Sequence, residues 1–387
     1  LSLHDALPIL FMALYFFAFR MIKRLSDSFL TSGLRYLGAT LLGTALGAVA
    51  LLPAYYASLY SSTGSPPKEI KLYADFSDLA KQLFVLREPT QLDGNANIYC
   101  GVFIVFMAVL FAFSRRIPLR ERIVRLALTA FVFVSFNVNV LDYVWHGFHF
   151  PNDLPGRFSF IFAFLMIDMA YDAFKCMREE GNARFILSAV IAAAIFAAAV
   201  GLGEEEAEIY SVMLTAVLLG VYILLATLIR RKGNIAAFGK RFSAAAICLS
   251  LMAAELIANT IFGTGMNGST SRSSYFRYAG AMETVRREYE PQDNEFYRME
   301  IAQMSARNDV TRYHLNGLSI FSSTCDDRME DLMDALGFYK AGNKFSYKGA
   351  TPVTNAMMGV RYVAANKLVD WPELAFINTI DDTEYIY

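Results

Sequence analysis

The sequence predicts an all-α polytopic membrane bundle followed by an extracytoplasmic α+β domain, and three observations carry that reading. The 387 residues are 55% hydrophobic, 14% aromatic and only 18% charged, with a mean hydropathy of +0.35, too apolar for an ordinary soluble enzyme. Apolar runs long enough to cross a bilayer recur along the first two thirds of the chain, and the gaps between them alternate in basic content. From about Gly263 the composition turns mixed and polar. The formal net charge of −1 gives no reason to expect nucleic acid as a partner. Cys100, Cys176, Cys248 and Cys325 show no paired spacing, so neither a disulfide framework nor a zinc site is indicated.

Taken in order, residues 1–9 contain "SLHDALPI", which reads as translated sequencing adaptor and is excluded from the fold reasoning together with His4 and Asp5. On that reading the true N-terminus is missing, and the C-terminal domain is also incomplete. The helical domain covers 10–262. A spanning helix needs roughly 20 mainly apolar residues, which places eight spans near 10–22 (incomplete), 35–60, 98–114, 123–141, 158–174, 185–202, 209–229 and 242–262. In hydrocarbon every backbone polar group must be satisfied within the segment, so these runs must be helices.

The gaps test this count. "RRIPLRERIVR" (115–125) holds five arginines, "KCMREEGNAR" (175–184) three basic residues and "RRKGNIAAFGKR" (230–241) five, whereas 142–156 and 203–208 hold no Lys or Arg. Basic gaps belong in the cytoplasm. The loops 61–97, 142–157 and 203–208, and everything after about 263, therefore face outward from a bacterial cell membrane.

Within 61–97, Phe76, Leu79, Leu83 and Leu86 recur at helical spacing opposite Asp78, Lys81 and Gln82, with Pro89 as terminator. This predicts an amphipathic helix, either lying on the outer membrane surface or packed on the bundle. After 263, "GTGMNGSTSRSS" reads as a linker. In 263–387, "EFYRMEIA" (295–302) and "GVRYVAAN" (359–366) alternate as strands, and "DRMEDLMDALGF" (327–338) reads as a helix ending at Gly337.

"WHGFHFPNDLPGRFSFIFAFLMIDMAYDAF" (145–174), with "YHLNGLSIFSSTCDDRMEDLMDALGF" (313–338) and "NKFSYKGATPVTNAMMGVRYVAAN" (343–366), resembles the bacterial YfhO membrane-protein family. The resemblance extends over nearly everything after the first nine residues. It implies a multi-span, GT-C-like glycosyltransferase. Such enzymes move a sugar from a polyprenyl-phosphate donor to an extracytoplasmic acceptor, a cell-wall polymer such as lipoteichoic acid or a glycolipid. It also implies a catalytic base in an outer loop near the N-terminus, which this sequence lacks.

A sugar-phosphate donor needs a cation for phosphate, aromatic faces for the ring and acceptors for the hydroxyls. The outer loop supplies all three. Arg157 at the head of a span presents a planar fork suited to phosphate, and Tyr143, Trp145 and His149 are candidate sugar or lipid contacts. Asp142, His146 and Asp153 are weak candidates for the general base. The plainer reading makes Trp145 and Tyr143 an interfacial belt and lets Arg157 snorkel to headgroups. His146 and His149, with Asp142 and Asp153, could share a divalent ion (Mg or Mn), although the spacing is a weak signal and no metal is assigned.

Ionisable and amide residues inside spans are functional candidates by default. Asp168 and Glu255 stand out, and Asn137 with Asn139 could face the same cavity as Arg157. Asp172 has Lys175 and Arg178 nearby, and Glu255 with Asn259 could simply bond across helices. In the outer domain Arg298, Asn308, Asp309, Arg361 and "FSST" (321–324) either contact a polymeric acceptor or cap turns. No P-loop, nucleophile elbow or zinc-protease motif occurs. Two other functions fit a membrane bundle: a lipid-linked-sugar transporter or flippase using Asp168 and Glu255, and a non-catalytic envelope-assembly scaffold.

Overall fold

The computed structural model describes residues 6–23, 28–60, 67–92, 94–148, 156–204, 206–231, 234–237, 240–289, 295–304, 306–322, 325–367, 374–380 and 384–386. The chain is mostly helical and forms two compact units, one of residues 3–39 and 64–268, the other of 40–63 and 269–387.

The helical unit contains α1 (Ala6–Lys23), residues 29–39 of α2 (Phe29–Leu46), α4 (Phe76–Lys81), α5 (Val102–Phe113), α6 (Leu119–Ser135), α7 (Asn139–Trp145), α8 (Ser159–Cys176), α9 (Asn182–Leu202), α10 (Ile209–Arg231), the paired strands β1 (Asn234–Ala237) and β2 (Lys240–Ser243), and α11 (Ala244–Met266), while α3 (Ala48–Ser58) falls in the other unit. Among the described residues, α9, α10 and α11 are long and apolar enough to cross a membrane. The α2–α3 pair would add a fourth only as a broken span, because it bends by 80° at Gly47.

The eight-span reading is therefore too regular, and each departure has a local cause. The 35–60 run is two helices. In the 98–114 run, Ile98–Gly101 is not helical and α5 has 12 residues, about 18 Å at 1.5 Å per residue against a hydrocarbon core of about 30 Å. The 123–141 run stops at Ser135, and α7 begins separately at Asn139. α8 is long enough but carries Asp168, Asp172 and Lys175. α11 continues to Met266, into the stretch expected to be a linker.

Short α5 is the centre of this unit. Val102, Phe106, Met107, Leu110 and Phe111 are fully buried, and α5 packs chiefly on α8 and α9. Aromatic edges lock it: Phe103 meets Phe174 and Tyr222, and Phe106 meets Phe185.

Polar contacts gather the helix ends into two layers. One ties 69–101, 136–158, 203–215 and 255–266 together; the other ties 112–125, 168–184 and 229–230. The arginine-rich gaps all fall in the second layer.

The segment after Asp75 is not a surface helix. α4 is a single short stretch that packs on α9, and both its apolar Leu79 and its polar Asp78 and Lys81 are buried. Lys81 Nζ sits 2.6 Å from Asp78 Oδ1, and the amide of Glu204 donates to Asp78 Oδ2. A Cβ at Gly203 would stand 2.2 Å from Asp78 Oδ1 and 2.3 Å from Lys81 Nζ, so a side chain there would push this pair aside. Beyond α4, Phe84 meets Phe196 edge-on, the Val85 amide donates to Thr215, Ser211 donates to the Val85 carbonyl, and the Leu86 amide donates to Asn259. Side chains from α10 and α11 thus satisfy the backbone of a non-helical segment that inserts among the helices.

The second unit holds two small sheets and short helices. In one sheet β3 (Arg298–Ile301) pairs parallel with β7 (Val360–Ala365), which pairs antiparallel with β9 (Glu384–Ile386), and β9 with β8 (Asn378–Ile380). In the other, β6 (Lys344–Ser346) lies between β4 (Ile320–Phe321) and β5 (Tyr339–Lys340). The helix expected at 327–338 runs Asp327–Ala335, with Asp326 capping it and Gly337 turning the chain at φ +88°.

Candidate functional site

The sequence candidates converge on the layer without arginine-rich gaps. α6 ends at Ser135, and Asn137 and Asn139 then act as clamps on the facing extended segment 69–74. Asn137 Oδ1 accepts from the amides of Tyr73 (3.1 Å) and Ala74 (2.8 Å), while its Nδ2 donates to the Ala74 carbonyl (2.5 Å). Asn139 does the same one step along, accepting from Lys71 N (2.9 Å) and donating to the Glu69 carbonyl (2.9 Å). A bridge between Leu72 and Val138 completes the pairing. Both amides are thus engaged with the 69–74 backbone, and the expectation that they face a cavity with Arg157 is corrected.

That clamp delivers Tyr73 to α7. Its hydroxyl donates to Asp142 Oδ2 at 3.0 Å, and His146 Nδ1 lies 3.1 Å from Asp142 Oδ1 and 2.9 Å from the Asp142 carbonyl. Both neighbours of Nδ1 are acceptors, so the ring carries its proton there. Burial, then the adjacent carboxylate, push the Tyr73 phenol up, which keeps it a donor. Asp142 is 4% exposed and His146 fully buried. Their geometry suits orientation of the loop that follows; direct contact with a substrate hydroxyl would require them to be uncovered.

An aromatic stack backs the same loop. Phe158 is sandwiched between Phe136 (4.5 Å, 17° between planes) and Trp145 (4.9 Å, 13°), with the His146 ring on its edge. Trp145 is 1% exposed and works as a packing residue, not as an open sugar platform. Tyr143, half-buried and edge-on to exposed Phe148, is the accessible aromatic. Gly156 takes a left-handed φ of +62°, and a Cβ there would lie 2.2 Å from Ala96 Cβ. Only glycine fits, and the turn places half-buried Arg157 at the head of α8. His149 and Asp153 lie outside the described residues. Among the described residues no group of three or more His, Cys, Asp and Glu could hold a metal ion.

The matching family model is that of the bacterial membrane protein YfhO, aligned over residues 7–380. The chain belongs to the YfhO family. No curated protein and no solved structure matches it. The "PGRFSF" stretch of this YfhO-family chain is thus accounted for in part by packing, through Gly156 and Phe158. Its tail is likewise held by structural polar groups. Glu300 Oε2 accepts from Ser319 Oγ (2.8 Å) and its Oε1 from Ser319 N (2.9 Å), while Asn308 exchanges two bonds with the Phe321 backbone. Arg298 donates to the Met358 carbonyl, Asp309 accepts from the Ala306 amide and Arg361 pairs with Glu295.

The intramembrane candidates are also engaged. Arg125, on α6, is the partner of Asp168 (3.1 Å) and Asp172 (2.6 Å), and Glu121 and Lys175 complete the cluster. Arg178, expected near Asp172, instead donates to the Ile229 carbonyl. Glu255, 5% exposed, accepts from the hydroxyls of Tyr99 and Tyr222 and from the Val102 amide at 2.8 Å, at the N-terminus of α5. Tyr99 and Tyr222 carried no sequence signal; only their meeting around one carboxylate distinguishes them.

Proposed function

We propose that this YfhO-family membrane protein is a glycosyltransferase that moves a sugar from a polyprenyl-phosphate donor to an extracytoplasmic cell-envelope acceptor, such as lipoteichoic acid, another wall polymer or a glycolipid. The observation that carries the proposal is the built turn at 156–158, where Gly156 alone fits and sets half-buried Arg157 at the head of α8. Family membership adds an association with glycosyltransferase-like membrane proteins.

In this reading Arg157 binds the donor phosphate and stabilises it as it leaves. Tyr143 stacks on the sugar, with His149 as a further contact. Asp142 and His146 are positioning residues, braced by Tyr73. Asp153 stands on the same loop as a candidate to accept the acceptor hydroxyl's proton. A divalent Mg or Mn ion, if used, would fall to His149 and Asp153, since Asp142 and His146 already hold each other.

The test is transfer from a polyprenyl-phosphate sugar by the full-length membrane protein. Arg157→Ala should lower the rate about 100-fold, the usual cost of removing a charge-stabilising donor, at unchanged expression. Undiminished transfer would remove the phosphate-binding role. Supplying donor lipid on one face of a vesicle separates the other readings: a transporter moves lipid without transferring sugar, and a scaffold does neither.

A further inference from the structure

The opposite layer carries a second site that the proposed transfer does not use. Between the start of α9 and the end of α10 lies a cleft of about 790 Å³. Its polar end is formed by Arg178, Arg230 and Arg231, and its floor by Phe185, Ala189 and Ala193. The small alanines make room along two membrane-length helices, and the neighbouring Ile186 and Val190 are exposed.

Charge in the cleft is one-sided. Among the described residues its one lining carboxylate, Glu180, is buried, with Oε1 2.8 Å from Arg184 Nη1 and Oε2 held by Ser114. Arg230 lies over the Phe185 ring, 4.2 Å from its centroid, and donates through Nη2 to the Glu180 carbonyl and Asn182 Oδ1. Arg178 is anchored through Nε to the Ile229 carbonyl. The first turn of α9 opens into the same cleft, adding the positive end of its dipole.

We propose that this cleft binds an anionic glycerophospholipid, its phosphate between Arg178, Arg230 and Arg231 and one acyl chain lying along Phe185, Ala189 and Ala193. A soluble phosphate would leave the apolar floor bare, and a zwitterionic lipid would bring a cation against three arginines. Basic pockets between membrane helices favour acidic lipids for the same reason. A bound lipid would also brace α9 against α10 where their ends meet Arg178 and Glu180.

The experiment counts lipids retained by the purified full chain after exchange into vesicles of phosphatidylcholine alone, phosphatidylcholine with phosphatidylglycerol, or phosphatidylcholine with a polyprenyl phosphate. Wild type should retain phosphatidylglycerol selectively. Arg231→Gln, at an exposed side chain, should weaken retention about fivefold, the equivalent of about 1 kcal/mol for one basic residue near a membrane surface. Ala193→Phe, which fills the floor and leaves every charge in place, should abolish selective retention with unchanged melting in lipid-free detergent. Equal retention of both lipids by wild type, or selective retention surviving both substitutions, overturns the proposal. Stronger retention of a polyprenyl phosphate than of phosphatidylglycerol also overturns it, since the cleft would then be a carrier-lipid site.

Discussion

The two polar layers of the helical unit are built from different chemistry. In the layer that holds the candidate site, amides and hydroxyls clamp non-helical backbone: Asn137 and Asn139 on 69–74, Thr215 and Ser211 on Val85, Asn259 on Leu86. In the other, charged side chains join helix ends through Arg125 with Asp168 and Asp172, and Arg184 with Glu180. Neutral clamps hold a loop in one register because each unsatisfied backbone group in a dry setting is costly. The partly exposed pairs of Arg125 with Asp168 and Asp172 are screened by water and contribute less each. The first layer holds a non-helical loop in place, and the second ties helix ends to one another.

That contrast can be broken at its strongest point first. Glu255→Ala would leave the Tyr99 and Tyr222 hydroxyls and the Val102 amide without their acceptor, and should cost on the order of 3 kcal/mol or more, read as lost melting temperature in detergent; Glu255→Gln should recover part of it. Gly156→Ala should cost roughly 2–3 kcal/mol through overlap with Ala96 and a left-handed backbone, with faster amide exchange at 94–100. Asn137→Ala should cost about 2 kcal/mol and free the amides of Tyr73 and Ala74 to exchange. Arg125→Gln, at the other layer, should cost about 1 kcal/mol, since that cluster is partly exposed and screened. An Arg125 effect larger than that of Asn137 would erase the distinction between the layers.

A smaller effect should appear in the second unit. Burial pushes the Glu300 carboxyl up despite its hydrogen bonds. The folded state then binds more protons than the unfolded one above the ordinary carboxylate range, so stability should fall as pH rises through that window. Exchange protection across 298–321 should show this slope in the full chain, and Glu300→Gln should flatten it. A slope of the opposite sign would mean the carboxylate, not the acid, is the form the fold favours.

How much of this was visible in the residues follows from range. Charge segregation among gaps is a local property, and the same grouping reappears as the two layers. The break at 136–138 was not readable, because it is stabilised by the non-helical segment 69–74, far away in sequence. Asp168 was marked as unusual, but its partner Arg125 sits within a run that read only as a basic gap. Lys81 looked like the solvated face of a surface helix; its burial depends on Asp78 and on the open backbone at Gly203. For the candidate site, the residue types were legible. The inward placement of Trp145, Asp142 and His146 was not, since it depends on Phe136, Phe158 and Tyr73 arriving from other elements.

A donor-binding role for Arg157 requires the clamped layer to face outward across the membrane. Single cysteines placed at exposed Phe148 and at Lys175, in the opposite layer, can be labelled in a cysteine-free background with a membrane-impermeant maleimide. Phe148→Cys should react in intact cells and Lys175→Cys only after lysis. Labelling at 175 in intact cells, with 148 protected until lysis, would contradict it.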